Sequence, residues 1–177
     1  MNKIFIVGIL SLTGLVVFPG CNEPPPAEPK VSLIEASVSN DLASVQSYID
    51  NKADLNPTDD QKSTPLMIAS TFGHTELAKM LIEAGADIEL QNQDGSTALH
   101  VAAFMCHKDI VQLLLDAGID KSKKNNLGST ALQSVEAPYE LVKPIYDFIG
   151  AALAPTGLVI DHERLKAERP NIAEMFK

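Results

Sequence analysis

The sequence predicts an all-α solenoid of about four helix-turn-helix units, followed by a helical C-terminal cap. Three near-identical openings indicate this fold: STPLMIAS begins at Ser63, STALHVAA at Ser96 and STALQSVE at Ser129, each 33 residues after the last. The chain is 45% hydrophobic but only 5% aromatic, with no Trp. Its core must therefore consist of Leu, Ile, Val and Ala, which favours close-packed helices. A fixed period of this length is typical of stacked helical repeats.

The first helix of each unit is predicted from its capping residues. Thr64 can cap a helix, and Pro65 suits the first turn, where its missing N–H is no loss. The apolar residues after it recur at the same 33-residue period: Leu33, Leu66, Leu99 and Leu132, with Ala36, Ala69 and Ala102. The small alanines allow a second helix to pack closely, and Gly73 permits the turn that leads to it.

The second helix carries one apolar stripe. In HTELAKMLIEAG, Leu77, Leu81 and Ala84 follow the i, i+4, i+7 spacing of a helix face. Gly85 and Gly118 stand where a helix C-terminus needs a left-handed residue. The polar stretches PTDDQK and QNQDG then predict turn-like fingers between units.

Taken together, these motifs resemble those of ankyrin-repeat proteins, with their T-P-L-H-x-A opening and 33-residue period. The resemblance covers residues 31–149 and is closest in the middle units, residues 62–94 and 95–127. The first unit departs as a cap would, with Ser32, Glu35 and Ser39 at positions that an internal unit would bury, and Lys52 at the glycine position. The fourth unit lacks the Gly-His turn, and its ELV motif arrives two residues early.

The resemblance implies a protein-binding surface. In ankyrin folds the concave side, formed by the finger tips and first helices, is the usual contact face. The corresponding positions here are Asp60, Gln61, Ser63, Thr71 and Phe72 in the second unit, Gln91, Gln93, Asp94, Ser96, Phe104 and Met105 in the third, and Lys124, Asn126 and Leu127 in the fourth. Large apolar side chains that face solvent mark contact sites, which draws attention to Phe72, Phe104 and Met105. The alternative is that these three pack under the fingers or against neighbouring units.

Residues 150–177 are predicted to be a helical cap. Helices are expected to begin at Asp161 and at Pro170. Apolar residues that could cover the last repeat are Leu158, Ile160, Leu165, Ile172, Met175 and Phe176. A solenoid end otherwise exposes a hydrophobic face, so a cap is the simpler interpretation. A partner-binding amphipathic segment is the alternative.

The N-terminus predicts export. Residues 4–18 form a 15-residue apolar run after a positive start, which fits a secretory signal and is short for a membrane-spanning helix. Gly20 directly before Cys21 resembles the lipobox of bacterial lipoproteins, although Phe18 and Pro19 depart from its usual residues. The resemblance implies a signal peptide over residues 1–20 and a lipid on Cys21. Export without lipid and an uncleaved anchor remain as alternatives.

The residues after Cys21 predict a tether. Four prolines within NEPPPAEPK favour an extended chain, so residues 21–30 are expected to be a lipidated cysteine and a proline-rich spacer. Asn22 is not the Asp that retains such lipoproteins at the inner membrane, which implies the periplasmic or outer-membrane side of a cell envelope. With Cys21 lipidated, Cys106 has no partner in the chain; with Cys21 free in an oxidising compartment, a disulfide between the two is possible.

The sequence offers few groups for catalysis. In the ankyrin pattern, His100 ties neighbouring repeat loops together; His74 and His107 occupy equivalent turn positions, and His162 is expected to be solvated. Cys106 beside His107 suggests a nucleophile or redox thiol, but adjacent residues on a turn seldom face each other. No phosphate loop, nucleophile elbow or zinc motif occurs. We therefore expect no enzyme, cofactor or metal site.

The net charge of -9 argues against nucleic acid as a partner, because phosphate binding needs clustered Lys and Arg. The sequence as a whole predicts a monomeric, non-catalytic module that binds another protein and is held at a membrane by its lipid anchor. Regulation or protection of a co-exported enzyme is a narrower alternative, and a thiol-based redox role for Cys106 is another.

Overall fold

The computed structural model describes residues 31–177. The predicted signal peptide, Cys21 and the tether lie outside these residues. In the described part, every regular element is a helix, which confirms the all-α prediction. The helices are α1 (Leu33–Ser39), α2 (Leu42–Asp50), α3 (Pro65–Phe72), α4 (Thr75–Glu83), α5 (Ala98–Phe104), α6 (Lys108–Asp116), α7 (Ala131–Glu136), α8 (Tyr139–Leu153) and α9 (His162–Glu174), with a 3-10 turn at Ala154–Thr156.

Three helix pairs, α1 with α2, α3 with α4 and α5 with α6, stack in order, and α7 and α8 follow as the fourth unit. The first helices pack in the series α1, α3, α5, α7, and the second helices in the series α2, α4, α6. The stack buries one continuous core that contains Leu33, Leu66, Leu99, Leu77, Leu81, Ile110 and Leu114. This arrangement is the predicted solenoid. The fourth unit's second helix continues to Leu153, past residue 149, where the sequence places the end of the repeats.

Capping chemistry explains where the first helices begin. The Thr64 hydroxyl accepts the backbone N–H of Met67, with Pro65 in the first turn, as predicted. Thr130 caps α7 in the same way through a capping box with Gln133. Ser32 and Glu35 form another capping box at α1, so these two polar residues of the first unit satisfy the helix N-terminus as well as facing solvent.

Left-handed backbone recurs with the sequence period. Positive φ occurs at the turn between helices (Asn40, Gly73, Cys106), after the second helix (Lys52, Gly85, Gly118) and in the finger (Lys62, Gly95, Gly128). Each set is spaced by 33 residues. Glycine adopts this conformation at little cost, whereas Asn, Lys and Cys pay for it. Glycine thus occupies five of these nine positions, and the other four, Asn40, Lys52, Lys62 and Cys106, bear the cost of the left-handed conformation.

The fourth unit breaks the pattern at its turn. Leu77 and Ile110 each follow the capping threonine of their unit by 13 residues, whereas Leu141 follows Thr130 by 11. Ala137 and Pro138 connect α7 to α8 without a left-handed residue. Because each residue turns a helix by about 100°, the shortened connection changes which face of α8 meets the core. The consequence is visible in the exposure of its side chains: Tyr146 is 0% exposed, while Leu141 and Phe148 are each 72% exposed.

The C-terminal segment covers the end of the stack. Helix α9 begins at the predicted N-cap, with the Asp161 carboxylate accepting the N–H of Arg164. Leu165, Ile172 and Phe176 are buried, and α9 packs against α7, α5 and α8. The prediction of a second helix starting at Pro170 is wrong, because α9 runs through Pro170. The buried anchors on both sides of Pro170 hold the two halves as one helix.

Candidate protein-binding surfaces

Adjacent fingers of the repeats are joined by hydrogen bonds. The Gln93 N–H donates to the Gln61 carbonyl at 2.9 Å, and the Asn126 N–H donates to the Asp94 carbonyl at 2.9 Å. The Asn126 amide also donates to the Gln93 carbonyl at 2.9 Å, and the Gln91 amide to the Lys124 carbonyl at 3.1 Å. Three successive fingers therefore form one connected row, with little freedom to move separately.

Each finger is also closed by its own polar side chain. Oxygen Oδ1 of Asp59, Asn92 or Asn125 accepts two backbone N–H groups, those of the second and fourth residues after it, at 2.7–3.1 Å. Short side chains of this type hold turns by such bonds. The sequence analysis missed this role, although the three residues are spaced by 33 and could have been found from the repeat alignment.

Gly95 shows how closely neighbouring fingers approach. Its φ is +72°, and a Cβ at this position would lie 2.6 Å from Oδ1 of Asn126. A side chain would therefore need both an unfavourable backbone conformation and space that the next finger occupies. Glycine at this position permits the close contact between the third unit and the fourth.

The structure brings five of the predicted contact residues together. The side chains of Gln91, Gln93, Asp94, Lys124 and Asn126 belong to exposed residues of the finger row. We call this set the finger surface. Part of the bonding capacity of Gln91 and Asn126 already links neighbouring fingers. Gln93 and Asp94 use only backbone groups in those links.

The other predicted residues lie away from the fingers. Thr71 and Phe72 end α3, about 10 Å along the helix from its finger-side start. The Thr71 hydroxyl donates to the Met67 carbonyl at 3.0 Å, and the half-buried Phe72 ring stacks on His74 with centroids 5.5 Å apart. These two residues belong to the edge where helices turn, and not to the finger surface.

Phe104 and Met105 adopt the packed alternative. The Phe104 ring stacks on Tyr146 at 4.3 Å between centroids, and the Arg169 guanidinium lies 6.0 Å from its centre. Met105 is only 3% exposed because it ends α5 against the core. A direct contact of Met105 with a partner across an open face is therefore wrong, and Phe104 is largely engaged by the cap. Sequence spacing could not show this, because Tyr146 belongs to the irregular fourth unit and Arg169 to the C-terminal segment that follows the repeats.

The histidines of the repeats serve the scaffold. His100 Nε2 bonds the Ser129 carbonyl at 3.1 Å while its Nδ1 meets Thr97, which links the third unit to the fourth as expected. His74 and His107 bond carbonyls in the preceding unit, those of Val38 and Thr71, at 3.4 and 3.2 Å. Burial lowers the pKa of His100 and of His107. Both rings are therefore held neutral as linkers between units.

Cys106 is a buried turn residue. Its φ of 57° matches that of Gly73 one unit earlier, and its side chain is 4% exposed. Burial raises the pKa of the thiol to about 11, against a partial lowering by Arg169 and Arg164. Reactive cysteines have a depressed pKa and an accessible sulfur. This environment favours an inert thiol and counts against the redox alternative.

The His162 ring makes two polar contacts, although its position in the sequence predicts a solvated side chain. It is half-buried: Nδ1 lies 2.6 Å from the Tyr139 hydroxyl, and Nε2 lies 3.0 Å from an Asp147 carboxylate oxygen. The expectation of a freely solvated ring is wrong, because α9 begins directly over the first turns of α8. Asp147 also pairs with Lys143 at 2.8 Å. The cluster joins α8 to α9.

Over residues 31–177, no three His, Cys, Asp or Glu side chains lie close enough to hold a metal ion together. Within the same range, no helix combines the length and the apolar character that crossing a membrane requires.

Comparison with known families agrees with the geometry. A family model described as ankyrin repeats matches residues 33–125 as three copies. A search of curated proteins returned no match. The matched region spans the first three units and ends within the finger that leads to the irregular fourth. Over half of the chain fits this model, and the structure has the helical pairs and fingers expected of it, so the chain belongs to the ankyrin-repeat family.

Proposed function

We propose that the chain is a non-catalytic, monomeric binding module that recognises another protein through its finger surface. One observation carries this proposal: three fingers are joined into a rigid row, and the row presents exposed polar side chains. A preformed surface loses little conformational entropy on binding, so its contacts are converted efficiently into affinity. Ankyrin repeats generally bind proteins, which supports the same conclusion.

We also propose that a lipid on Cys21 holds the module at the membrane of a bacterial cell envelope, on its periplasmic or outer-membrane side. The support is the apolar run, the Gly20-Cys21 junction and the proline-rich spacer of the sequence. Tethering would raise the effective concentration of the module towards partners on the same membrane. A partner that is itself an exported enzyme would make the module its regulator or protector.

Site-specific crosslinking tests the finger surface. A photoreactive amino acid at Gln93 should capture a partner protein in intact envelopes, whereas the same group at Gln112 should not. Gln112 is a matched control, because it is an exposed glutamine on the outer helix α6. The Gln93 product should disappear when Gln91 and Lys124 are both changed to Ala. Identical products from both positions would contradict the proposal, and the identity of the captured protein would show whether it is an enzyme.

Lipid labelling tests the anchor separately. Cells fed an alkyne-tagged fatty acid should label the wild-type protein and leave Cys21→Ser unlabelled, with Cys106→Ser labelled like the wild type. Equal labelling of Cys21→Ser would show that Cys21 is not the lipidation site. This outcome would leave the finger-surface proposal standing, because the two proposals rest on different residues.

A further inference from the structure

A groove runs along the edge of the stack where the paired helices turn, on the side away from the fingers. Its volume is about 460 Å³, within the range of about 300–1,000 Å³ that ligand sites occupy. One wall is formed by the turns of the first three units, and the other by residues 156–160, which follow α8. We call this feature the turn-edge groove. It is separate from the finger surface.

Six of the twelve residues that line the groove are apolar. The apolar side chains along it are those of Val38, Phe72, Met105, Leu158, Val159 and Ile160. Val159 is 84% exposed at the rim, which is unusual for so large an apolar side chain. The position of the second wall depends on Gly150 of α8, where an added Cβ would lie 2.9 Å from Cγ1 of Ile160. Because Ile160 packs this closely against α8, the segment that contains it forms a well-packed wall of the groove.

The groove has one charged side chain in its lining, the guanidinium of Arg164. The other titratable side chains that line it are His74 and His107, and burial lowers the pKa of His107 so that its ring is neutral. The chain as a whole carries a net charge of -9. The Arg164 side chain is held in place because its guanidinium donates to the Cys106 and Met105 carbonyls at 3.3 and 3.4 Å. A guanidinium has five N–H donors, so donors remain for an anionic ligand.

The backbone of the second wall has free hydrogen-bonding capacity. No hydrogen bond in the described part of the chain uses the N–H or C=O groups of Leu158, Val159 or Ile160. These residues belong to neither a helix nor a turn, and Asp161 after them has extended backbone. An irregular segment with unused backbone groups can pair with an added strand, which is a common mode of peptide recognition.

From these three properties we infer that the turn-edge groove binds an extended segment of a partner protein. The segment would carry alternating apolar side chains, which fill the groove beside Phe72 and Ile160, and an acidic side chain, which meets Arg164. Its backbone would pair with residues 158–160. Alternation follows from strand geometry, in which every second side chain faces the same way.

Capped peptides test the inference. The probes are two labelled hexapeptides, Glu-Val-Thr-Val-Thr-Val and its reverse, acetylated and amidated so that the Glu side chain is the sole carboxylate. Anisotropy titration of the full chain should show binding of one of them and about tenfold weaker binding of its Gln counterpart, since the Gln side chain cannot form a charge-assisted hydrogen bond with Arg164. Amide shifts in an NMR titration should be largest at residues 158–160 and 164.

Matched variants locate the site. Arg164→Gln should weaken binding about tenfold, whereas Lys166→Gln, an exposed cation on the same helix, should leave it within about twofold. Val159→Asp should abolish binding by placing a carboxylate at the rim. Leu127→Asp serves as its control, because Leu127 is 85% exposed but lies on a finger. Circular dichroism would establish that all four variants fold.

Several results would overturn the inference. These are no binding at millimolar peptide, equal binding of the Glu and Gln peptides, or shifts confined to the finger surface. A synthetic peptide of residues 22–30, whose sequence contains two glutamates and one lysine, should not compete. If it bound with the same shifts, the groove would be a site for the chain's own tether and not for a partner. None of these outcomes bears on crosslinking at Gln93, so the two proposals can fail separately.

Discussion

The second helices of the middle units and of the fourth unit have similar sequences but pack differently. TELAKMLIE in α4 and KDIVQLLLD in α6 align with YELVKPIYD in α8. Leu77 and Leu81, like Ile110 and Leu114, are 0% exposed. Their counterparts Leu141 and Ile145 are 72% and 45% exposed. The helix sequence is therefore insufficient to set the buried face, and the connection before the helix decides it.

The fourth unit compensates by using a different face of its second helix. Tyr146, one position after the usual core residue, fills the site beside Phe104 and donates its hydroxyl to the Phe104 carbonyl. Arg169 of α9 then donates to the Tyr146 oxygen at 2.9 Å and to the Ser134 and Ala137 carbonyls at 2.8 Å each. Burial raises the pKa of Tyr146 to about 12, so this phenol remains a neutral hydrogen-bonding group.

The largest effect is expected at Tyr146. Tyr146→Ala should lower the free energy of unfolding by about 4 kcal/mol, the range for removing a buried aromatic ring. Phe148→Ala, two residues along the same helix but 72% exposed, should cost under about 1 kcal/mol. Urea denaturation followed by circular dichroism measures both. Equal costs would show that α8 buries its other face in solution.

Equivalent positions in α6 and α8 give the next comparison. Leu114→Ala should destabilise by about 3 kcal/mol, because it leaves a cavity in the core. Ile145→Ala, its counterpart in the fourth unit, should cost under about 1 kcal/mol. The measurement is again urea denaturation. A similar loss for both variants would remove the distinction between the two helices.

The cap depends on Arg169, which is 4% exposed and whose hydrogen-bond partners within residues 31–177 are neutral oxygens. Arg169→Met keeps much of the side-chain volume but leaves three acceptors without their donor, so we expect a loss of about 2–3 kcal/mol. Lys166→Met, an exposed change on the same helix, should stay within about 0.5 kcal/mol. Thermal unfolding would rank the two, and an unchanged midpoint for Arg169→Met would exclude this role.

The turns of the units should also differ in pH response. Burial lowers the pKa of His107 below 6.5 in the folded state. The unfolded chain then binds more protons as the pH falls below 6.5, so stability declines through the window between 6.5 and the lower folded pKa. His107→Gln should flatten this decline, and Lys108→Gln should keep it. The fourth unit has Ala137-Pro138 at its turn and cannot contribute. Urea denaturation at several pH values provides the test, and a steeper slope in His107→Gln would reverse the assignment.

The smallest effect is expected on the exposed face of α8. Leu141→Ser with Phe148→Ser should change the free energy of unfolding by no more than about 1 kcal/mol, because both side chains already face solvent. Ile110→Ser, at the position in α6 that corresponds to Leu141, should cost several times as much. A double variant as damaging as Ile110→Ser would mean that this face is covered.

The 33-residue period predicted the capping, turn and linking residues that recur in the units. It could not predict the contacts of residues that do not recur. Thr64, Gly73, Gly85 and His100 have their expected roles because each acts within its own unit or on the next one. The Asp59 turn was equally predictable from its spacing. By contrast, the partners of Phe104 and Met105 come from α8, which is displaced from the period by two residues, and from α9, which lies outside the repeats. The displacement of α8 follows from two missing residues whose effect depends on three-dimensional packing.

The hydrogen bonds between the C-terminal segment and the third unit affect the order in which the units unfold. Arg164 holds the Met105 and Cys106 carbonyls, and Lys121 donates to the Phe176 carbonyl at 3.1 Å. Residues 162–177 are thus hydrogen-bonded to the third unit, whereas the first unit, as far as residues 31–177 show, packs its helices α1 and α2 against α3 and α4 of the second unit. Unfolding should therefore begin at α1, at the end of the stack opposite α9. The first unit would then unfold while the fingers of the later units are still folded.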